Sequence, residues 1–283
     1  MTATFGREWS AGLRRADQST LDAWLAFALE CCDVADKIAI DAFRTELQVT
    51  VKPDGSFVTQ ADTAIESTIR AGLTERFPDH GIVGEEFGTA DGGSSTTRWY
   101  LDPIDGTHNF MRRVPLFGTL LAVEHDGELQ AGVVSAPAMG QRWWATRGGG
   151  AWTTGGGGGT TRRIQVSREG DLRAAQVLYR SVNDMHASRV SAGFDALLPG
   201  VWRERGFGDF WGYMLVSDGA AEAMMEQDLG PWDLAAPWIV VEEAGGRITD
   251  FDGRRSLAKG ESLATNGLLH ETLLEHLWRR ADA

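Results

Sequence analysis

Cysteine is almost missing from this chain of 283 residues: only Cys31 and Cys32 occur, side by side within an apolar helical pattern. Adjacent cysteines cannot build a disulfide framework, and a metal-binding pair would need a second half that the chain does not offer. Two buried thiols in a reducing cytosol are therefore expected. Long apolar runs are missing too; none approaches the roughly 20 residues that span a bilayer. The opening MTATFGREWSAGLRRADQ lacks the apolar core of a signal peptide, so a cytoplasmic protein with no membrane partner is expected. Positive charge is scarce, with 27 Lys and Arg against 40 Asp and Glu and a formal net charge of −13. Such a surface repels nucleic acid, so no polyanion partner is expected. A small phosphate ester is not excluded, because a metal or local dipoles reverse the field inside a pocket. No internal repeat is visible. What is present, 42% hydrophobic and 24% charged residues, suits a globular chain of one large or two smaller domains.

Residues 1–18 read as a polar tail. From Ser19 or Thr20 to about Phe43, apolar residues at Leu21, Trp24, Leu25, Ala28, Cys32, Ala35 and Ile38 recur at helical spacing. Lys52-Pro53-Asp54-Gly55-Ser56 is a turn between short β-branched flanks, and a second helix starts after Thr59, with Ile65, Ile69, Leu73 and Phe77 on one stripe. Ile82-Val83 make a short strand ending in Gly84-Glu85-Glu86, and residues 86–98 read as a mobile loop. Residues 117–134 form a hairpin about Asp126-Gly127, which Arg142 to Ala145 extend. The glycine run Gly155 to Gly159 is a linker, which divides an N-terminal subdomain (19–154) from a C-terminal one (160–283) carrying Asp233. Beyond it, strands are expected at 164–166, 175–178 and 247–249. Helices are expected at 187–198, 212–225, 234–244 and 270–279. Strands alternating with helices argue for a layered α/β architecture.

The central stretch is WYLDPIDGTHNF, Trp99 to Phe110. Three apolar residues running into Asp-Pro read as a buried strand brought to a stop, since proline cannot continue a ladder. Gly106 permits a tight turn and Thr107 can cap the next element. Asp102 and Asp105 thus leave one strand end within a turn of each other. Their charges repel unless a cation lies between them, and hard oxygen ligands suit Mg²⁺, which often shares its coordination with substrate phosphate. Asp-Pro and Asp-Gly are also ordinary turn dipeptides. Other acids stand at element ends: Asp62 at a helix start, Glu85 at a strand exit and Asp233 before a helix. Each also has a plain reading, as cap, solvated exit or N-cap.

KPDGSFVTQAD, GEE, DPIDGT and WDLAA, in that order, resemble the inositol monophosphatase family of Mg²⁺-dependent, lithium-sensitive phosphatases. The resemblance spans nearly the whole chain after the tail. It implies an α/β fold, a layered α/β/α/β/α sandwich of the inositol monophosphatase / fructose-1,6-bisphosphatase type, and a homodimer. It implies that Glu85, Asp102 and the Ile104 carbonyl hold one Mg²⁺ and that Asp102, Asp105 and Asp233 hold a second. A third, weaker ion lies near Glu85, and Mn²⁺ is a substitute. In the same reading Glu85 and Thr107 orient the attacking water, Asp62 holds the Thr107 hydroxyl, the Gly106 and Thr107 amides receive phosphate oxygens, Asp105 contacts substrate, and Lys52 adds positive charge.

GEEFG, RWWA, GDF, WDLAA and ATNGLLH resemble the histidinol-phosphatase branch found in actinobacteria. Asp209 and Glu226, if both face the pocket, would suit an ammonium group such as that of histidinol phosphate; Asp209 equally reads as a helix cap. Inositol 1-phosphate or another sugar or aminocyclitol phosphate is the alternative substrate. His108 and the segment Val177 to Ser181 depart from the branch, and a substrate-side or solvent-facing place is expected for His108. Two rival readings compete with this one. An aspartyl nucleophile of the haloacid dehalogenase kind needs one residue between its aspartates, where this chain has two. A non-catalytic phosphate binder would have lost Glu85, Thr107 or Asp62, and all three are present.

Overall fold

In the computed structural model, which describes residues 14–53, 55–155 and 159–278, the first apolar stripe forms helix α1 (Gln18–Phe43). Asp17 caps it, its carboxylate accepting the Thr20 amide at 3.1 Å. The expectations for residues 1–13, for Asp54, for the middle of the glycine run and for residue 279 fall outside the described residues. Two compact units emerge, one of Arg14–Arg163 with Pro231–Val240, the other of Ile164–Gly230 with residues 241–278.

In the first unit a hairpin of β1 (Val49–Val51) and β2 (Phe57–Thr59) leads into α2 (Gln60–Arg76). An eight-stranded sheet comes next: β3 (Gly81–Gly84), β4 (Gly88–Ala90), β5 (Thr97–Asp105), β6 (Gly118–His125), β7 (Glu128–Ala136), β8 (Gln141–Thr146), β9 (Gly150–Thr154) and β10 (Thr161–Ile164). Its order is β10-β9-β8-β7-β6-β5-β3-β4, with a five-residue helix α3 (Thr107–Met111) directly after β5. Side chains alternate across β7. Ala131 and Val133 enter the core with Leu21, Cys32, Ile65 and Ile69 of α1 and α2, whereas Gly132 meets Ala236 and Ile239 of the segment Pro231–Val240. Expected in a C-terminal subdomain, that segment and Asp233 with it thus pack within the first unit. The expected loop 86–98 contains a strand. β4 pairs antiparallel with β3 at the sheet edge, and its exposed Gly-Thr-Ala carries no hydrophobic alternation to betray it.

The second unit holds β11 (Gln176–Tyr179), α4 (Val182–Ala187), α5 (Ser191–Leu197), β12 (Arg203–Arg205), α6 (Asp209–Ser217), β13 (Ala223–Gln227), α7 (Pro231–Glu243, whose last three residues belong here), β14 (Arg247–Thr249), β15 (Glu261–Thr265) and α8 (His270–Trp278). Its sheet order is β12-β11-β13-β15-β14. Val177, Ala223, Met225 and Leu263 face Met185, Phe194, Leu273 and Leu277. On the opposite face Gly212 of α6 lies so close to Met224 that a Cβ there would overlap its sulfur. The expected helix 212–225 is therefore two elements. Gly219, at φ +74°, ends the turn after α6, and the apolar run beyond it is the central strand β13. The expected helix 187–198 is realised as the shorter α5, and α4, which was not expected, ends at Ala187 where that helix was to begin. Among the described residues no helix is long and apolar enough to cross a membrane.

Candidate active site

The first unit assembles the acids from strand ends and a helix start. β3 and β5 run parallel with Gly84 opposite Leu101, and the Glu85 amide donates to the Leu101 carbonyl at 3.1 Å. Glu85 and Asp102 therefore leave the same edge of the sheet side by side. Along β5 a bulge does further work. Asp102 pairs with Leu120 and Asp105 with Gly118, so three steps on β5 match two on β6. Residues three apart in a regular strand point to opposite faces; the extra residue returns Asp105 to the side of Asp102. Pro103 has no N–H to offer the ladder, and its carbonyl is satisfied by the Thr119 hydroxyl at 2.8 Å.

Asp233 joins them from the first turn of α7. The helix can approach because Gly132 has no side chain: a Cβ there would fall 2.6 Å from Ile239 Cγ2 and 3.1 Å from the Ala236 Cα. One carboxylate oxygen from each of Asp102, Asp105 and Asp233 then lies within 4.8 Å of the others. Asp102 is buried and its Oδ1 has no hydrogen-bond partner. Burial, then the charges of Glu85, Asp105 and Asp233, hold its carboxyl well above the usual range. Three convergent carboxylates with an orphaned buried oxygen fit a hard divalent cation, which would offset their mutual repulsion.

Beside this trio, Lys52 extends from the hairpin and places Nζ 3.0 Å from Glu85 Oε1 and 2.7 Å from Glu86 Oε1. Burial alone would lower the Lys52 pKa, but the Glu86 and Glu85 carboxylates outweigh it and hold the ammonium above its usual value. Burial pushes Glu86 up to about 7 against the Lys52 hydrogen bond. Asp62 is a cap, as one of its readings expects. It closes a capping box in which Oδ2 accepts from the Thr59 amide at 2.9 Å and the Thr59 hydroxyl at 2.5 Å. Its Oδ1 is buried without a partner, and burial pushes its carboxyl up to about 6.

The expected hydrogen bond from Thr107 to Asp62 is not made. The Thr107 hydroxyl donates instead to the Ile104 carbonyl at 3.0 Å, the nearer acceptor on its own turn. Gly106 takes φ +81°, the left-handed conformation its lack of a Cβ allows, and starts α3. His108 is exposed, with its ring edge-on to Phe57 at 5.2 Å. Pattern reading passed over Glu66 and Glu86. Glu66 is fully buried and bonded to the Glu86 and Phe87 amides, and the only sequence signal was its place one helical turn after Asp62.

In the second unit Asp209 and Glu226 have company. Arg180 Nε lies 2.8 Å from Asp184 Oδ2 and 3.8 Å from Glu226 Oε1, and Asp209 contributes to the field around it. Glu226 is only 2% exposed, whereas Asp209 is half-buried as the first residue of α6, at φ +50° after Gly208. Asp209 is therefore not the N-cap; Gly208 is.

The chain matches the inositol monophosphatase family over residues 20–282. It is 42% identical to the histidinol-phosphatase of Mycobacterium tuberculosis over 257 residues, covering 89% of this chain and 97% of that protein. It is 34% identical to the inositol-1-monophosphatase of Mesorhizobium japonicum over 236 residues, covering 81% and 85%. The crystal structure of the extragenic suppressor protein SuhB from Bartonella henselae superposes with a TM-score of 0.83, covering 91% of this chain and 99% of that one at 27% identity. The α/β sandwich fold implied by the motifs is thus the fold of this chain.

Proposed function

Because the chain belongs to the inositol monophosphatase family and is a phosphoric monoester hydrolase, we propose that Asp102, Asp105 and Asp233 hold Mg²⁺ for hydrolysis of a small-molecule phosphate. The observation that carries this reading is their convergence within 4.8 Å, together with a buried Asp102 oxygen that has no hydrogen-bond partner. When bound, Mg²⁺ lowers the pKa of a water and neutralises charge on the transferring phosphoryl group. Glu85 and the Ile104 carbonyl complete the ligand set; a second or third ion, or Mn²⁺ in place of Mg²⁺, falls within the same proposal. Glu85 and Thr107 orient the water. To do so the Thr107 hydroxyl turns from the Ile104 carbonyl toward Asp62, whose Oδ1 is buried without a partner. The Gly106 and Thr107 amides take phosphate oxygens, and Lys52 offsets the charge of Glu85 and Glu86. Asp105 contacts the substrate.

Histidinol phosphate is the substrate we assign first, on the relative of that name and on Asp209, whose half-buried carboxylate suits an ammonium group. Glu226 acts through Arg180, which already neutralises it. That same arginine favours a second reading, a neutral polyol phosphate such as inositol 1-phosphate, because the cation the acids need is built in. Phosphate release from histidinol phosphate, inositol 1-phosphate, fructose 1,6-bisphosphate and adenosine 3′,5′-bisphosphate separates the two. Asp209→Ala lowers kcat/KM for histidinol phosphate alone in the first case; equal loss on inositol 1-phosphate discards it. A cytoplasmic, lithium-inhibited homodimer belongs to the same proposal, and sedimentation and Li⁺ inhibition check it.

A further inference from the structure

We propose that Glu66 is the positioning residue of this site: it fixes the turn that aims Glu85, and so sets the affinity for the divalent cation. The proposal rests on the metal reading above. Glu66 lies one turn after Asp62 on α2 and is 0% exposed. Its two oxygens are fully committed as acceptors. Oε2 receives the Glu86 amide at 2.8 Å, while Oε1 receives the Phe87 amide at 3.1 Å and Arg70 Nε at 2.8 Å. Arg70 also bonds the Gly88 carbonyl and lies 6.0 Å over the Phe87 ring. Residues 86–88 are thus strapped to α2 by one carboxylate and one guanidinium, leaving Glu85 between this strap and its own amide bond to Leu101. Glu86, held by the same strap, keeps Lys52 beside Glu85.

Chemistry explains why a carboxylate is required. All three partners are donors, so an acid accepts from each, whereas Gln would turn an NH₂ against either the Glu86 amide or the pair formed by Phe87 and Arg70, whichever way its amide lies. Gly84 completes the arrangement. A Cβ on it would overlap Glu66 Oε1 and press on Arg70 Nη2, so the glycine directly before Glu85 leaves room for the carboxylate.

The experiment compares wild type, Glu66→Gln, Gly84→Ala and their double variant. Calorimetry reads Mg²⁺ binding, hydrogen exchange reads the Glu86 and Phe87 amides in EDTA, and circular dichroism reads folding. Glu66→Gln is expected to weaken Mg²⁺ binding roughly 10-fold to 100-fold, the usual cost of removing a group that orients a ligand, with kcat at saturating Mg²⁺ falling less. Gly84→Ala shifts binding the same way, and the double variant is no worse than the weaker single, because both disturb one contact. Arg70→Ala, whose side chain is partly exposed, loosens the same carboxylate if neither core variant folds. A folded Glu66→Gln protein that has only a lower Tm, with unchanged Mg²⁺ affinity, overturns the proposal. If Asp102→Asn binds Mg²⁺ as wild type does while Glu66→Gln still frees the two amides, the metal reading fails and the strap remains.

Discussion

Gly132→Ala tests whether the approach of α7 to β7 sets the position of Asp233. The added Cβ would lie 2.6 Å from Ile239 Cγ2, 3.1 Å from the Ala236 Cα and 3.2 Å from the Ala236 carbonyl oxygen. A rotamer change at Ile239 relieves only the first of these, because the other two are backbone atoms. The helix must therefore lift from the sheet by several tenths of an ångström. Overpacking of this kind costs about 1–3 kcal/mol, which at about 3 °C per kcal/mol for a chain of this size lowers Tm by about 3–9 °C. Asp233 sits one helical turn before Ala236 and moves with it, and a displacement near 1 Å at a catalytic centre costs on the order of 100-fold in rate. Two assays suffice: Tm in EDTA and with saturating Mg²⁺, and phosphate release against Mg²⁺ concentration. The variant is expected to lose stability in EDTA and, beyond that, to lose most of the extra Tm that Mg²⁺ confers. A Gly132→Ala protein with wild-type Tm and an unchanged Mg²⁺ response would refute the close seat and the role given to it.

Three further outcomes rest on individual side chains. His270 is buried between Thr249 and Thr265 hydroxyls at 2.9 Å each, and burial, then Arg247, hold its pKa down to about 3. The folded ring stays neutral while the unfolded one takes a proton below about 6.5, so stability is complete above that pH and falls as pH drops toward 3. Between pH 8 and pH 5 urea unfolding should lose about 2 kcal/mol, and His270→Gln should flatten that dependence; an unchanged profile would show that another group carries it. Asp102→Asn should abolish Mg²⁺-dependent turnover yet raise Tm in EDTA, because it removes a carboxyl whose ionisation is opposed by burial and by the charges of Glu85, Asp105 and Asp233; a lowered Tm would mean that the cluster is not under repulsion. Lys52→Met strips the ammonium from Glu85 and Glu86, so proteolysis between β1 and β2 should quicken and kcat should fall; equal cleavage rates would show that the ion pairs do not tether the hairpin.

The acids were legible because each sits where local rules interrupt or begin an element: Gly106 turns the chain and Asp62 caps α2, while Pro103 does not stop β5 as expected but leaves a bulge through which the strand continues to Asp105. The Leu21 and Ile65 stripes announced their helices for the same reason, a repeat every 3.6 residues against one sheet face. What pattern could not reveal depends on partners distant in the chain. The bulge that brings Asp105 round to Asp102 is defined by Leu120 and Gly118 on the neighbouring strand. Glu66 reads as one more acid on an amphipathic helix until its oxygens are seen against the Glu86 and Phe87 amides. Asp209 and Glu226 read as an open acidic pair because Arg180, 46 residues before Glu226, closes on them only in space. β13 read as helix because a fully buried strand has no polar face and so no alternation to count.

In the proposed site Asp102, Asp105 and Asp233 share a divalent cation. Anomalous diffraction from crystals grown with Mn²⁺ tests it most directly. A strong peak is expected at roughly 2.0–2.3 Å from an oxygen of each of the three carboxylates. An enzyme that releases phosphate from its substrate in Mn²⁺, yet shows its only ordered metal away from these residues, would contradict it.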